Sequence, residues 1–136
     1  MFSTDCTAHS IGCCVSEQSG GTSRLVNSVI VAKNTPIPCQ KTDGFYLENE
    51  TQRIATIEIL QGEENAPRDD CLVIGEIVLN DLPAESIRTK RIQVEYTING
   101  NGMVTVTAVD KASGKQQSVS VDYKQGIQAT RKPASV

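Results

Sequence analysis

The chain has 136 residues, 38% of them hydrophobic and 21% charged, which is enough apolar material for one globular domain and too much for a disordered one. A formal net charge of −3 argues against a nucleic-acid partner, which would want a basic stripe, and no apolar run approaches the length of a membrane-spanning helix. The opening "MFSTDCTAHSIGCC" lacks the basic start and continuous apolar middle of a secretory leader, so a cytoplasmic domain is expected.

In chain order, short alternating segments predict β-strands at 11–15, 26–33, 41–47, 54–60, 73–79, 91–98, 103–110 and 116–122. Between the first two, "SEQSGGTSR" (16–24) is polar and glycine-rich and reads as an exposed loop. "AKNTPIPC" (32–39) carries Pro36 and Pro38, which cannot donate to a ladder, so it reads as a connector or an edge. In "IATIEILQGE" (54–63), Ala55, Ile57 and Ile59 fall on one side of an extended chain, and Ile54, Thr56, Glu58 and Leu60 on the other. Alternation leaves open whether that apolar row closes a core or lines a binding site. "EENAPRDD" (63–70) reads as a second solvated loop, whose paired carboxylates have no identifiable partner for acid–base chemistry. "EYTINGNGMVTVTAVD" (95–110) predicts a hairpin, since Asn99-Gly100-Asn101-Gly102 tolerates the positive φ of a tight reversal. From 127 onward the chain is a polar tail with Pro133. Regularly spaced short strands and no amphipathic helix make the fold all-β, and composition alone stops at a β-sandwich that binds something.

The odd count of cysteines (Cys6, Cys13, Cys14, Cys39 and Cys71), without a leader, predicts reduced thiols. Their spacings contain no C-x-x-C pair, and adjacent Cys13 and Cys14 on a strand face opposite ways. No metal site with His9 is therefore expected, and the thiols read as small buried hydrophobes. No phosphate-binding glycine motif and no nucleophile–base constellation appears, so no enzyme activity is expected.

Ordered motifs carry the reading further. "IVAKNTPIP" (30–38), Phe45, "QGE" (61–63) and "NGMVTVTAVDKASGK" (101–115) follow one another at fixed spacing, preceded by "DCTAHSIG" (5–12). Together they resemble the peptide-binding domain of the seventy-kilodalton heat-shock (DnaK-type) chaperones, over nearly the whole chain. The resemblance implies a sandwich of two four-stranded antiparallel sheets at 5–127, with 1–4 a remnant of an interdomain linker and 128–136 a polar tail too short to form the family's helical lid. It implies a stress-response chaperone domain that binds extended apolar segments of unfolded polypeptide. ATP would belong to an N-terminal ATPase domain outside this chain, and co-chaperones would be further partners.

By the same resemblance, the pocket for a Leu-like side chain maps onto Cys13, Phe45, Ala55, Ile57 and Ile92, with Ile59 close behind. The arch and rim of the groove map onto Ser16, Tyr46, Leu47, Glu48 and Thr56. One loop and two positions depart from the family pattern, the loop being 16–24, which is longer and polar here. Glu48 puts a carboxylate where the arch is usually apolar, and Ala55 is small where a larger aliphatic is usual. The alternative on the same fold is a structural or protein–protein module whose groove is degenerate.

Overall fold

Strands dominate because Val, Ile and Thr recur at alternate positions, where branched side chains suit a pleated surface. The structure, a computed structural model, describes residues 6–85 and 88–122, so the expected linker remnant at 1–4 and tail at 128–136 lie outside the described residues. Eight strands occur: β1 (Ile11–Ser19), β2 (Thr22–Val31), β3 (Cys39–Phe45), β4 (Ala55–Gln61), β5 (Leu72–Leu79), β6 (Ile92–Ile98), β7 (Met103–Asp110) and β8 (Gln116–Asp122). They form two four-stranded antiparallel sheets, ordered β2-β1-β4-β5 and β3-β6-β7-β8. The all-β sandwich expected from the sequence is the fold. Among the described residues the only helical element is a single 3-10 turn, Arg68–Asp70, and none is long and apolar enough to cross a membrane.

The core follows the alternation. Ile57 and Ile59 of β4 and Ile77 and Leu79 of β5 face Val94, Tyr96 and Ile98 of β6 and Val104, Val106 and Ala108 of β7, all buried. A polar bridge crosses this apolar layer. The fully buried Tyr96 hydroxyl donates to the Gly12 carbonyl on the opposite sheet (2.6 Å). Its one proton is thereby used, so the Cys13 thiol is the donor in the 3.2 Å contact between Cys13 and Tyr96. Gly12 itself sits at a bulge where a Cβ would lie 2.0 Å from the Ser28 carbonyl oxygen, a space that only glycine leaves.

The sequence motifs meet in space. Thr7, in the "DCTAHSIG" segment, donates from its hydroxyl to Ala32 and from its amide to Thr35, while the Ser10 hydroxyl accepts from the Lys33 amide. The N-terminal segment is thereby tied to the "AKNT" turn. Pro36 pairs only in an isolated bridge with Cys6, outside the strands, as a residue without an N–H should.

One loop expectation needs correction, and a second loop, exposed as expected, has a further part in the fold. Residues 16–24 are not a loop: β1 and β2 run on as a hairpin paired to Ser19–Thr22, reversing at Gly20 and Gly21 with φ of 58° and 85°. The polar composition reflects a solvated ribbon whose backbone, not its side chains, makes the ladder. Nor is 63–70 merely solvated. This segment covers the free edge of β2, with the Asn27 amide donating to the Ala66 carbonyl, Val26 bridging Pro67 and the Val29 amide donating to the Glu64 carboxylate (2.9 Å). A covered edge cannot template pairing with another chain.

Candidate functional site

The register of the first sheet opens a gap. β1 pairs with β4 only at Ile11–Gln61, Gly12–Leu60 and Cys13–Ile59, yet it stays paired with β2 as far as Ser19. β4, for its part, is paired with β5 from Ala55 onward. Beyond Cys13 the two strands therefore part, and each turns toward the other an edge with no ladder partner among the described residues. Between them lies a cleft of about 1040 Å³.

Burial separates its floor from its rim. Cys13, Ala55, Ile57 and Ile92 are 2–8% exposed and, with the partly buried Phe45, make an apolar floor drawn from both sheets. One wall is the hairpin, through Ser16, Gln18 and Leu25. The other is the segment after β3, through Tyr46, Leu47, Glu48, Gln52 and Ile54, with Thr56 beside it. Ten of the eleven pocket and rim residues anticipated from the sequence thus surround one cleft. Ile59 does not: it is fully buried, paired with Cys13 and Gly75 below the point where the strands part.

Hydrogen bonds fix the second wall. Gln52 accepts from the Glu48 amide through its side-chain oxygen and donates through its nitrogen to the Ile54 carbonyl (2.9 and 2.8 Å), and the Leu82 amide donates to Arg53. Glu48 itself is exposed. The charges around the opening are mainly acidic, from Asp43, Glu48 and Glu58, against Lys90, whose ammonium lies 6.0 Å from the Tyr46 ring centroid. Glu58 is the most constrained. Two hydrogen bonds from Arg68, of 2.6 and 2.7 Å, hold its carboxyl below the usual range.

The thiols point away from chemistry. Burial pushes Cys13 up to about 12, and burial with Glu58 alongside also raises Cys14. Neither is a ready thiolate near neutral pH. Among the described residues no disulfide forms and no three His, Cys, Asp or Glu side chains converge as a metal site would need.

Several lining residues were missed in the sequence, notably Leu25, Gln18, Gln52, Ile54 and Lys90. Reading 16–24 as a loop hid Gln18 and left Leu25 between that loop and the strand expected at 26–33, although Gly20-Gly21 between equal polar arms is itself a hairpin signal.

With the cleft described, its relatives bear on it. A family model described as Hsp70 protein matches residues 5–133. The chain belongs to the Hsp70 family. Chaperone protein HscA from Buchnera aphidicola subsp. Schizaphis graminum (strain Sg) is 33% identical over 93 residues, which cover 68% of this chain and 15% of that relative. This Hsp70-family chain therefore matches only a small part of that relative's length. The "DCTAHSIG" and "AKNT" segments are bonded to each other through Thr7 and Ser10.

Proposed function

We propose that the cleft binds extended apolar segments of unfolded polypeptide, with 5–127 as the substrate-binding unit of a chaperone. The observation that carries this reading is the parting of β1 and β4 over an apolar floor. An extended chain laid between two unpaired strand edges finds backbone donors and acceptors on both sides, while alternate side chains point down into the floor. Burying one Leu side chain contributes about 1.5–3 kcal/mol, whereas micromolar affinity needs about 8 kcal/mol. Backbone hydrogen bonds and neighbouring side chains supply the difference. The acidic rim favours segments carrying Lys or Arg beside the apolar residues. In this reading the domain is not an enzyme, works in the cytoplasm, and receives any ATP control from an ATPase domain elsewhere in the full-length protein.

Titration of a fluorescein-labelled Leu-centred peptide, followed by anisotropy, tests it. Saturable binding in the micromolar range is expected. A folded protein giving no saturable change up to millimolar peptide would leave the sandwich as an interaction module of another kind.

A further inference from the structure

The segment between β4 and β5 takes a longer path than joining two neighbouring strands requires. In the sheet order β2-β1-β4-β5 it leaves β4 at Gln61, crosses β1 to the far edge of β2, and returns to start β5 at Leu72. Bonds to β2 fix its course. The Asn27 amide donates to the Ala66 carbonyl (3.0 Å), the Asn65 amide donates to the Asn27 carbonyl (2.9 Å), and Pro67 bridges Val26. The Asn27 side chain also donates to the Gly62 carbonyl (2.9 Å), which ties down the departing end. Directly after Pro67, Arg68 reaches back to β4 and grips both carboxylate oxygens of Glu58 (2.6 and 2.7 Å). Glu58 alternates with the core residues Ile57 and Ile59, so it lies on the face of β4 away from the core.

That grip falls where the sheet forks. The last pair joining β1 to β4 is Cys13–Ile59, and in the same register the next would be Cys14–Glu58. Cys14 is opposite Asn27 of β2 and lies beside the Glu58 carboxylate. Ala66, Asn27, Cys14 and Glu58 therefore form one line across the fork, and Arg68 closes it. We infer that the 63–70 segment is a strap that sets the width of the cleft, with Arg68 and Glu58 as positioning residues for the bound chain. The inference rests on the proposed function. Beyond Cys13 no ladder joins the hairpin to β4 among the described residues, and the strap links these two walls from behind. A chain bonded to both edges needs them about 9–10 Å apart, twice the ordinary strand spacing, and a hairpin free to swing about Cys13 would hold that width only part of the time. The pair suits the task because it is bidentate and its side chains are only 35% and 20% exposed, against 54% and 39% for Arg24 and Glu17 on the hairpin.

Release kinetics test it, because a width held in advance governs how long a bound chain stays more than how often one arrives. A fluorescein-labelled Leu-centred peptide is bound and then chased with excess unlabelled peptide. Its sequence contains no Lys, Arg, Asp or Glu, so a change of charge at Glu58 does not act on it through ion pairing. Arg68→Ala and Glu58→Gln are each expected to speed release about fivefold or more, while association stays within about twofold of wild type. Arg68→Lys keeps the charge without the two-pronged grip; it should fall between, and it stands in for Arg68→Ala if that chain does not fold. The double variant Arg68→Ala/Glu58→Gln should release no faster than either single one, and the swap Arg68→Glu/Glu58→Arg should recover most of the lost residence time. Arg24→Ala, which breaks the exposed pair, should leave release unchanged. Release within about twofold of wild type in both Arg68→Ala and Glu58→Gln overturns the inference alone. Equal acceleration in Arg24→Ala, or accelerations that multiply in the double variant, also overturns it, since the effect would then not belong to the pair. No binding of the peptide by the wild type removes the proposed function and this inference with it.

Discussion

At the scale of single residues, the interior depends on two polar arrangements that leave little room for substitution. Tyr96→Phe deletes the hydroxyl that is hydrogen-bonded to both the Gly12 carbonyl and the Cys13 thiol in the buried interior. A loss of about 1–3 kcal/mol in urea-unfolding free energy is expected. The buried pair of Arg91 and Asp110 is bidentate, at 2.6 and 3.0 Å, and Asp110 also accepts from the Ser113 hydroxyl and the Ala112 amide. Burial alone would push this carboxyl up, but those hydrogen bonds outweigh it and hold Asp110 at about 2. Its folded value lies below the unfolded one, so its contribution is present above about pH 4 and is lost as pH falls toward 2. Asp110→Asn should cost about 3–5 kcal/mol at neutral pH, because a guanidinium stays buried without its counter-charge, and should flatten the loss of stability between pH 4 and 2. Ile57 belongs both to the cleft floor and to the core cluster, at 8% exposure. Ile57→Asp is therefore expected to unfold the domain, seen by circular dichroism, and not to abolish ligand binding selectively.

At the scale of elements, the β1–β2 hairpin and the bulge at its base do different work. The hairpin tip needs positive φ at both Gly20 and Gly21. Gly21→Val is expected to fray the tip at a cost of about 1–2 kcal/mol locally. Because the tip is exposed and lies beyond the core, the global unfolding midpoint should hardly move, while peptide affinity falls as the wall carrying Leu25 loosens. Amide exchange in 16–25 against that in β6 would separate the two effects. Gly12→Ala acts at the other end of the strand. Its methyl would meet the Ser28 carbonyl, and the expected loss is about 2–3 kcal/mol or more in the global transition. These elements also mark where sequence reading was weakest. Strands β6 and β7 were legible because each has one buried and one solvated face. The distal hairpin was not, because neither of its faces is covered by the core and no hydrophobic alternation records its pairing.

At the scale of the whole molecule, both sheets share one core, so a single cooperative transition is expected in urea, with near-coincident midpoints by far-ultraviolet circular dichroism and tyrosine fluorescence. Ligand at about one hundred times its Kd should add about 2.7 kcal/mol to that transition if it binds only the folded state. The sequence by itself determined the all-β class, the positions of most strands and, through ordered motifs, the family. It could do so because alternation and turn residues are local properties of the chain, and because the residues that bond the N-terminal segment to the "AKNT" turn are themselves the motif. Only the tertiary structure decided which part of the "IATIEILQGE" row is floor and which is core. Ala55 and Ile57 lie where β4 has parted from β1, and Ile59 lies where the two are still paired. It decided, too, that Leu25, Tyr46 and Ile54 line one cleft. A strand's alternation records which residues share a face, but where two strands separate is set by the register among β1, β2, β4 and β5, and no short stretch of sequence contains all four.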